Sequence, residues 1–170
     1  MTNSIEQITI SEQLKLCHQM QKDIFHQELN LLGMKIPDGY DDFSIYMQIR
    51  DSEAMVGTYR VVLPNASVGL PIEETGFDLQ QFQPQKVCEM SRLVILKEQR
   101  GKIPFKKIIV SACNIAKEHG ASILVVALLP CNVTLFKRNG FSQVGSPLSD
   151  PSVDSGNTEE AVIVPMQIQI

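Results

Sequence analysis

Val87 to Gly101 reads V-C-E-M-S-R-L-V-I-L-K-E-Q-R-G, and the fold turns on it. The stretch to Leu96 is apolar enough to be a strand. It carries an acid and a base three residues apart, Glu89 and Arg92. The strand then runs into a basic, glycine-containing turn and the start of a helix. Strand, turn and helix start together make a place to hold phosphates, because a helix N-terminus offers free N–H groups and a partial positive charge. The charged pair just before them points to chemistry beside that place.

Downstream, the pattern alternates regularly. Pro104 to Glu118 predicts a helix with proline in its first turn and Gly120 as its stop. Ser122 to Leu129 is nearly all apolar, a strand buried on both faces. Asn132 to Arg138 predicts a short helix ended by Asn139-Gly140, and Phe141 to Val144 another strand. A Ser, Pro, Asp and Gly-rich loop covers Gly145 to Thr158, and Glu160 to Ile170 closes the chain as a strand.

Upstream, Leu14, Cys17, Met20, Ile24, Phe25, Leu29 and Leu32 recur at steps of three and four. They predict an amphipathic helix from Ser11, its N-cap, to about Leu32, with Gly33 its stop. The turn segment I-P-D-G-Y-D-D follows. Phe43 to Arg50 and Met55 to Leu63 predict a hairpin around D-S-E-A. Pro64 to Pro84 is a long connection with one short helical turn, of a length that is usually functional. The whole is an α/β pattern with a mixed sheet.

A chain of 170 residues, 44% of them hydrophobic, supports one domain with a substantial core. The net charge of -4 gives no reason to expect nucleic acid or an anionic membrane as partner. Cys17, Cys88, Cys113 and Cys131 form no C-x-x-C pair, and most lie in apolar surroundings, as buried thiols of a reducing compartment do. No histidine has a metal-ligand partner at useful spacing; His18 and His26 are expected at the surface and His119 at a helix end. The N-terminus lacks a leader pattern, and no apolar run reaches the roughly 18 residues of a membrane span. The expectation is a cytoplasmic protein without a metal.

In Glu98 to Lys107, E-Q-R-G-K-I-P-F-K-K, four cations surround the helix start and only Glu98 opposes them. Cations there are unfavourable unless an anion is present. Arg100, Gly101 and Lys102 are therefore the expected pyrophosphate contacts. This loop, the order of elements and L-F-K-R-N-G-F at Leu135 to Phe141 resemble the GNAT acyltransferase superfamily. The resemblance implies one mixed, mostly antiparallel sheet with helices on both faces, splayed at Val87 to Leu96 to admit a pantetheine arm. It implies donor contacts at Leu93, Val94, Ile95 and Asn132, with an oxyanion donor among the main-chain N–H groups of that strand.

The first half resembles a narrower group. D-G-Y-D at Asp38 to Asp41, G-T-Y-R-V-V-L-P at Gly57 to Pro64 and E-M-S-R at Glu89 to Arg92 are similar to acyl-homoserine-lactone synthases and long-chain N-acyl amino acid synthases. The resemblance implies an acyl chain delivered on acyl carrier protein or CoA to a small amine. Glu89 would accept the amine's proton. Arg60 and Arg92 would orient the carboxylates or bind an acceptor carboxylate, and Asp38 and Asp41 would hold the acceptor's ammonium or shape the loop over it. An ion-pair network of Glu89, Arg60 and Arg92 is the compatible structural role. Phe77 and Phe82 would line an acyl tunnel, and Phe136 would stand near the substrate.

The departures are specific. Ile103-Pro104-Phe105 stand where the cofactor loop has its second glycine, and Phe136 replaces the tyrosine often used as general acid. Gln21 falls where the lactone synthases place an arginine, and the chain has no tryptophan, which disfavours S-adenosylmethionine as acceptor. A short-chain acetyltransferase and an inactive acyl-thioester-binding module are the alternatives.

Overall fold

In the computed structural model, residues 3–156 and 161–170 are described; Thr158 and Glu160, the ends of the predicted loop and last strand, lie outside them. The strands are β1 (Asn3–Gln7), β2 (Ser44–Asp51), β3 (Ala54–Val62), β4 (Val87–Ile95), β5 (Ile123–Leu128), β6 (Ser142–Gln143), β7 (Leu148–Ser149) and β8 (Val162–Gln169). The helices are α1 (Ser11–Lys22), α2 (Phe105–Glu118) and α3 (Val133–Lys137). Sheet order is β1-β2-β3-β4-β5-β8-β6, with β7 on β8, and every pairing is antiparallel except β4 with β5.

One face of the sheet presents Tyr59, Val61, Cys88, Met90, Leu124 and Val126 to α2 in the main core. The other presents Val62, Val87, Ile123 and Val125 to the connection between β3 and β4. Toward the far end of β4, Val94 packs under α1 and the segment after it, with Ile24, Phe25 and Leu31. Helices thus cover both faces, as expected.

Several expectations are corrected. β1 was not foreseen: its five residues are mostly polar and it pairs only with β2, so no hydrophobic alternation marks it. Ile10, not Ser11, is the N-cap of α1, without a side-chain cap. The helix widens into a π-helical segment, Asp23–Glu28, and ends there, before Gly33. The long connection holds two 3-10 turns, Pro71–Thr75 and Leu79–Phe82, where one was expected. β6 is shorter than Phe141 to Val144, and β7 lies in the predicted loop.

Two features of β4 position the site. Its parallel pairing with β5 is confined to Val87, Cys88 and Glu89, so the sheet parts from Met90 onward. Its register with β3 shifts between Thr58 and Arg60, where Arg92 sits at φ 59°. An extra residue in one strand re-aims the side chains around it. Ser91 and Arg92, which would point to opposite faces in a regular strand, here reach the same cluster.

Candidate active site

Arg60, near the C-terminal end of β3, is 1% exposed and is the hub of the cluster. Its Nη1 donates to Asp38 Oδ1 at 2.7 Å and to Asp41 Oδ1 at 2.9 Å, its Nη2 to Asp38 Oδ2 at 2.8 Å, and its Nε to Ser91 Oγ at 2.9 Å. Tyr46, its partner across from β2, donates to Asp41 Oδ1 at 2.6 Å. Arg92 Nη2 donates to Asp38 Oδ2 at 2.6 Å and to the Lys35 carbonyl. Two arginines and two aspartates therefore neutralise one another in a half-buried network, and all four are residues expected at the site.

The two arginines differ in what remains to them. Arg60 is nearly saturated by its own chain. Arg92 spends only Nη2; its Nη1 and Nε meet no protein acceptor among the described residues. Burial opposes ionisation of Asp38, but hydrogen bonds and charge from Arg60, with the charge of Arg92, hold its carboxyl below the usual range. Arg92 is moved down, by burial and by the like charge of Arg60.

Glu89 stands beside the network without a direct ion pair. It is 2% exposed, and Oε2 accepts from the Ile72 N–H at 2.7 Å, its one hydrogen bond among the described residues. Burial pushes its carboxyl up to about 8, against the lowering effects of that hydrogen bond and of Arg60. The expected Glu89–Arg60–Arg92 network is thus corrected: the arginines pair with Asp38 and Asp41, and Glu89 is left as a nearly isolated acid.

Asp38 and Asp41, expected to hold an acceptor ammonium or to shape the loop over it, are engaged by the arginines and by Tyr46. Phe77 and Phe82 face each other at 6.1 Å between centroids in the core with Ile72 and Tyr40. Phe136 is not with them: it packs between Phe105 and Phe141, at 5.1 and 5.2 Å, in the α2 core. Gln21 is fully buried and donates to Thr58 Oγ1 at 3.2 Å.

His18 was missed. Instead of lying at the surface, it sits edge-on to Tyr46 at 5.3 Å, with Nε2 3.4 Å from Asp41 Oδ2. Leu14, four residues before it on the same helix face, was the signal available. His26 is half-buried too, with Nε2 2.7 Å from the Met34 carbonyl, while His119 lies at the end of α2 as expected.

At the proposed phosphate turn, Gly101 has φ 80° and Lys102 is exposed. The N-terminus of α2 has no side-chain cap and no acid in its first turn. The basic group is divided, however. Arg100 pairs with Glu28, both of its terminal nitrogens reaching that carboxylate, and its Nε donates to the Ile95 carbonyl. Lys106 and Lys107 line a cleft between α2 and β1. Asn132 is exposed at the start of α3. Among the described residues no group of His, Cys, Asp and Glu is placed to hold a metal, and no helix is long and apolar enough to cross a membrane.

A mixed sheet parted beside a buried glutamate, with an uncapped helix start beyond it, is the arrangement expected of the GNAT fold. The model of the family N-acyl amino acid synthase FeeM matches residues 35–159, and the chain belongs to that family. The structure of FeeM, an N-acyl amino acid synthase from uncultured soil microbes, superposes with a TM-score of 0.77 at 13% identity, covering 99% of this chain and 90% of that one. Escherichia coli ElaA gives 0.71 at 12% identity, covering 99% and 100%. A putative N-acetyltransferase from Lactobacillus plantarum gives 0.68 at 15%, covering 99% and 98%. At these identities the likeness is one of fold. Comparison with curated protein sequences gave no match.

Proposed function

We propose that the protein transfers an acyl group from a thioester, carried on CoA or on acyl carrier protein, to the amine of an amino acid. The observation that carries this reading is the pairing of a buried, proton-avid Glu89 with an Arg92 that keeps N–H groups free, both on the strand where the sheet parts. The neutral amine attacks the thioester carbonyl carbon, the C–S bond breaks, and ionised Glu89 takes the nitrogen's proton and returns it to the departing thiolate. Main-chain N–H groups on β4 beyond Glu89, which have no strand partner on the β5 side, meet the oxyanion.

Arg92 binds the acceptor carboxylate through its free nitrogens. Arg60 is a positioning residue, holding Asp38, Asp41 and Ser91 so that Arg92 points into the opening. Leu93, Val94 and Ile95 contact the pantetheine through their backbone, and Gly101, Lys102 and the first amides of α2 meet the pyrophosphate. Arg100 and Asn132 flank that path. Phe77 and Phe82 are the apolar limit of the acyl pocket. Both are buried in the core, which favours a second reading, in which the acyl group is short.

The deciding experiment offers CoA thioesters of two to sixteen carbons and acyl carrier protein loaded with the same chains, with and without amino acids, and follows thiol release. Amino-acid-dependent release with long chains supports the first reading and with acetyl the second; binding without release in every case removes both. With an active donor, kcat/KM should rise with pH through about 8 as Glu89 ionises. Glu89→Gln should lose about two to four orders of magnitude and that rising limb; full turnover in this variant would exclude Glu89 as the base.

A further inference from the structure

Glu89 is so well covered that an amine cannot touch its carboxylate without displacing something. The group on Oε2 is the Ile72 N–H, and Ile72 itself is 1% exposed. Ile72 belongs to the 3-10 turn Pro71–Thr75, which has its own internal ties: Leu70 N donates to Glu73 Oε2 at 2.7 Å and Thr75 Oγ1 to the Ile72 carbonyl at 2.7 Å. These ties hold it together as one piece, seated on the core through Leu70 and Ile72. Gly69 and Gly76 bracket it, at φ 70° and 82°. Residues without a Cβ at both ends absorb backbone rotation at least steric cost.

Space and restraint are also present. Gly69, Leu70 and Glu73 line a cleft of about 670 Å³ together with Phe77, Gln83 and Val87, so the turn borders open volume. Among the described residues, its one side-chain hydrogen bond to the loop carrying Asp38 is Tyr40 Oη donating to the exposed Glu74 Oε1 at 2.7 Å, beside the apolar packing of Tyr40 with Leu70 and Ile72.

We propose that Leu70–Thr75 is a gate over the acceptor's place: the Ile72 amide occupies on Glu89 the hydrogen-bond position that the acceptor's amine takes in the reacting complex, and the Tyr40–Glu74 bond is the latch. A primary amine presents an N–H to a carboxylate at the same distance as a backbone amide, so the exchange leaves Glu89 satisfied in both states. The gate deepens the acyltransfer reading and rests on it for the acceptor's identity as an amine, but its motion is measurable in the free enzyme.

The test is amide hydrogen exchange of the full chain by NMR, comparing Ile72 with Leu124 on the core strand β5. Removing a latch worth one ordinary hydrogen bond should speed Ile72 exchange about fivefold in Glu74→Ala and in Tyr40→Phe, with Leu124 unchanged, and should raise kcat/KM for the acceptor. Ile72 exchanging at the parent rate in both variants, or quickening only in step with Leu124, would overturn the gate. Fast Ile72 exchange in an enzyme that never turns over would leave the gate standing and remove the acyltransfer reading.

Discussion

Glu89 and Asp38 pull the protein's pH dependence in opposite directions. Glu89 has a folded value of about 8 against an ordinary 4.5. Between those values the native state keeps a proton that the unfolded chain has released, so stability falls as pH rises across that window, by a few kcal/mol in all. Glu89→Gln keeps an acceptor for the Ile72 N–H and carries no such penalty. It should therefore melt near the parent at pH 4.5 and clearly above it at pH 8 to 9; parallel melting curves across that range would show that burial does not oppose ionisation here. Asp38 is the reverse case. Its carboxyl is held below the ordinary 3.8, so its contribution is complete above that value and is lost as pH falls through the folded one. Asp38→Asn takes from Arg60, 1% exposed, the carboxylate charge and one of the two oxygens its guanidinium donates to. A buried charge left short of its partner costs about 3–5 kcal/mol, to be read from urea midpoints at pH 7, and the deficit should shrink in acid. Stability should accordingly peak on the acid side of neutrality.

At the scale of elements, legibility followed hydrophobic periodicity. β5 and α2 were plain, since their apolar patterns are dictated by burial on two faces and on one. β1 was not, because a polar strand held at an edge is specified by its backbone hydrogen bonds to β2 and hardly by its side chains. The site divides in the same way. Glu89, Arg60, Arg92, Asp38 and Asp41 were legible as residues, yet their partners were not: the bulge at Arg92 is a property of register, and only register brings Ser91 to Arg60 and Arg92 to Asp38 within one cluster. Gly57 shows how tightly that register is kept. A Cβ there would lie 2.7 Å from the Val94 carbonyl oxygen and 3.2 Å from side-chain carbons of Ile49 and Ile95. A backbone carbonyl in a ladder cannot yield as a side-chain tip can, so Gly57→Ala should cost about 1–3 kcal/mol, measured by urea denaturation. If it were neutral, β3 and β4 would have to sit further apart than they do here.

For the molecule as a whole, the question is how a chain of net charge -4 attracts a donor that is itself anionic. On the proposed path the attraction must be local. Arg100 is compensated by Glu28, and Lys106 and Lys107 flank the β1 cleft, which leaves Lys102, the turn at Gly101 and the uncapped amides of α2 at the parted end of the sheet. Backbone amides lose little to salt when a phosphate is seated on them, whereas an exposed lysine is screened within about 8–10 Å at ordinary ionic strength. Donor affinity should therefore fall with salt only modestly, and most of that slope should reside in Lys102. Lys102→Ala is expected to raise the KM for a CoA thioester about two- to fivefold at low salt and to flatten its salt dependence, while Lys106→Ala and Lys107→Ala leave both close to the parent. Steady-state kinetics between low and moderate salt separate these outcomes. A slope carried by Lys106 and Lys107 would mean that the donor's phosphates lie on the β1 side of α2, away from Glu89, and the path proposed along β4 would have to be abandoned.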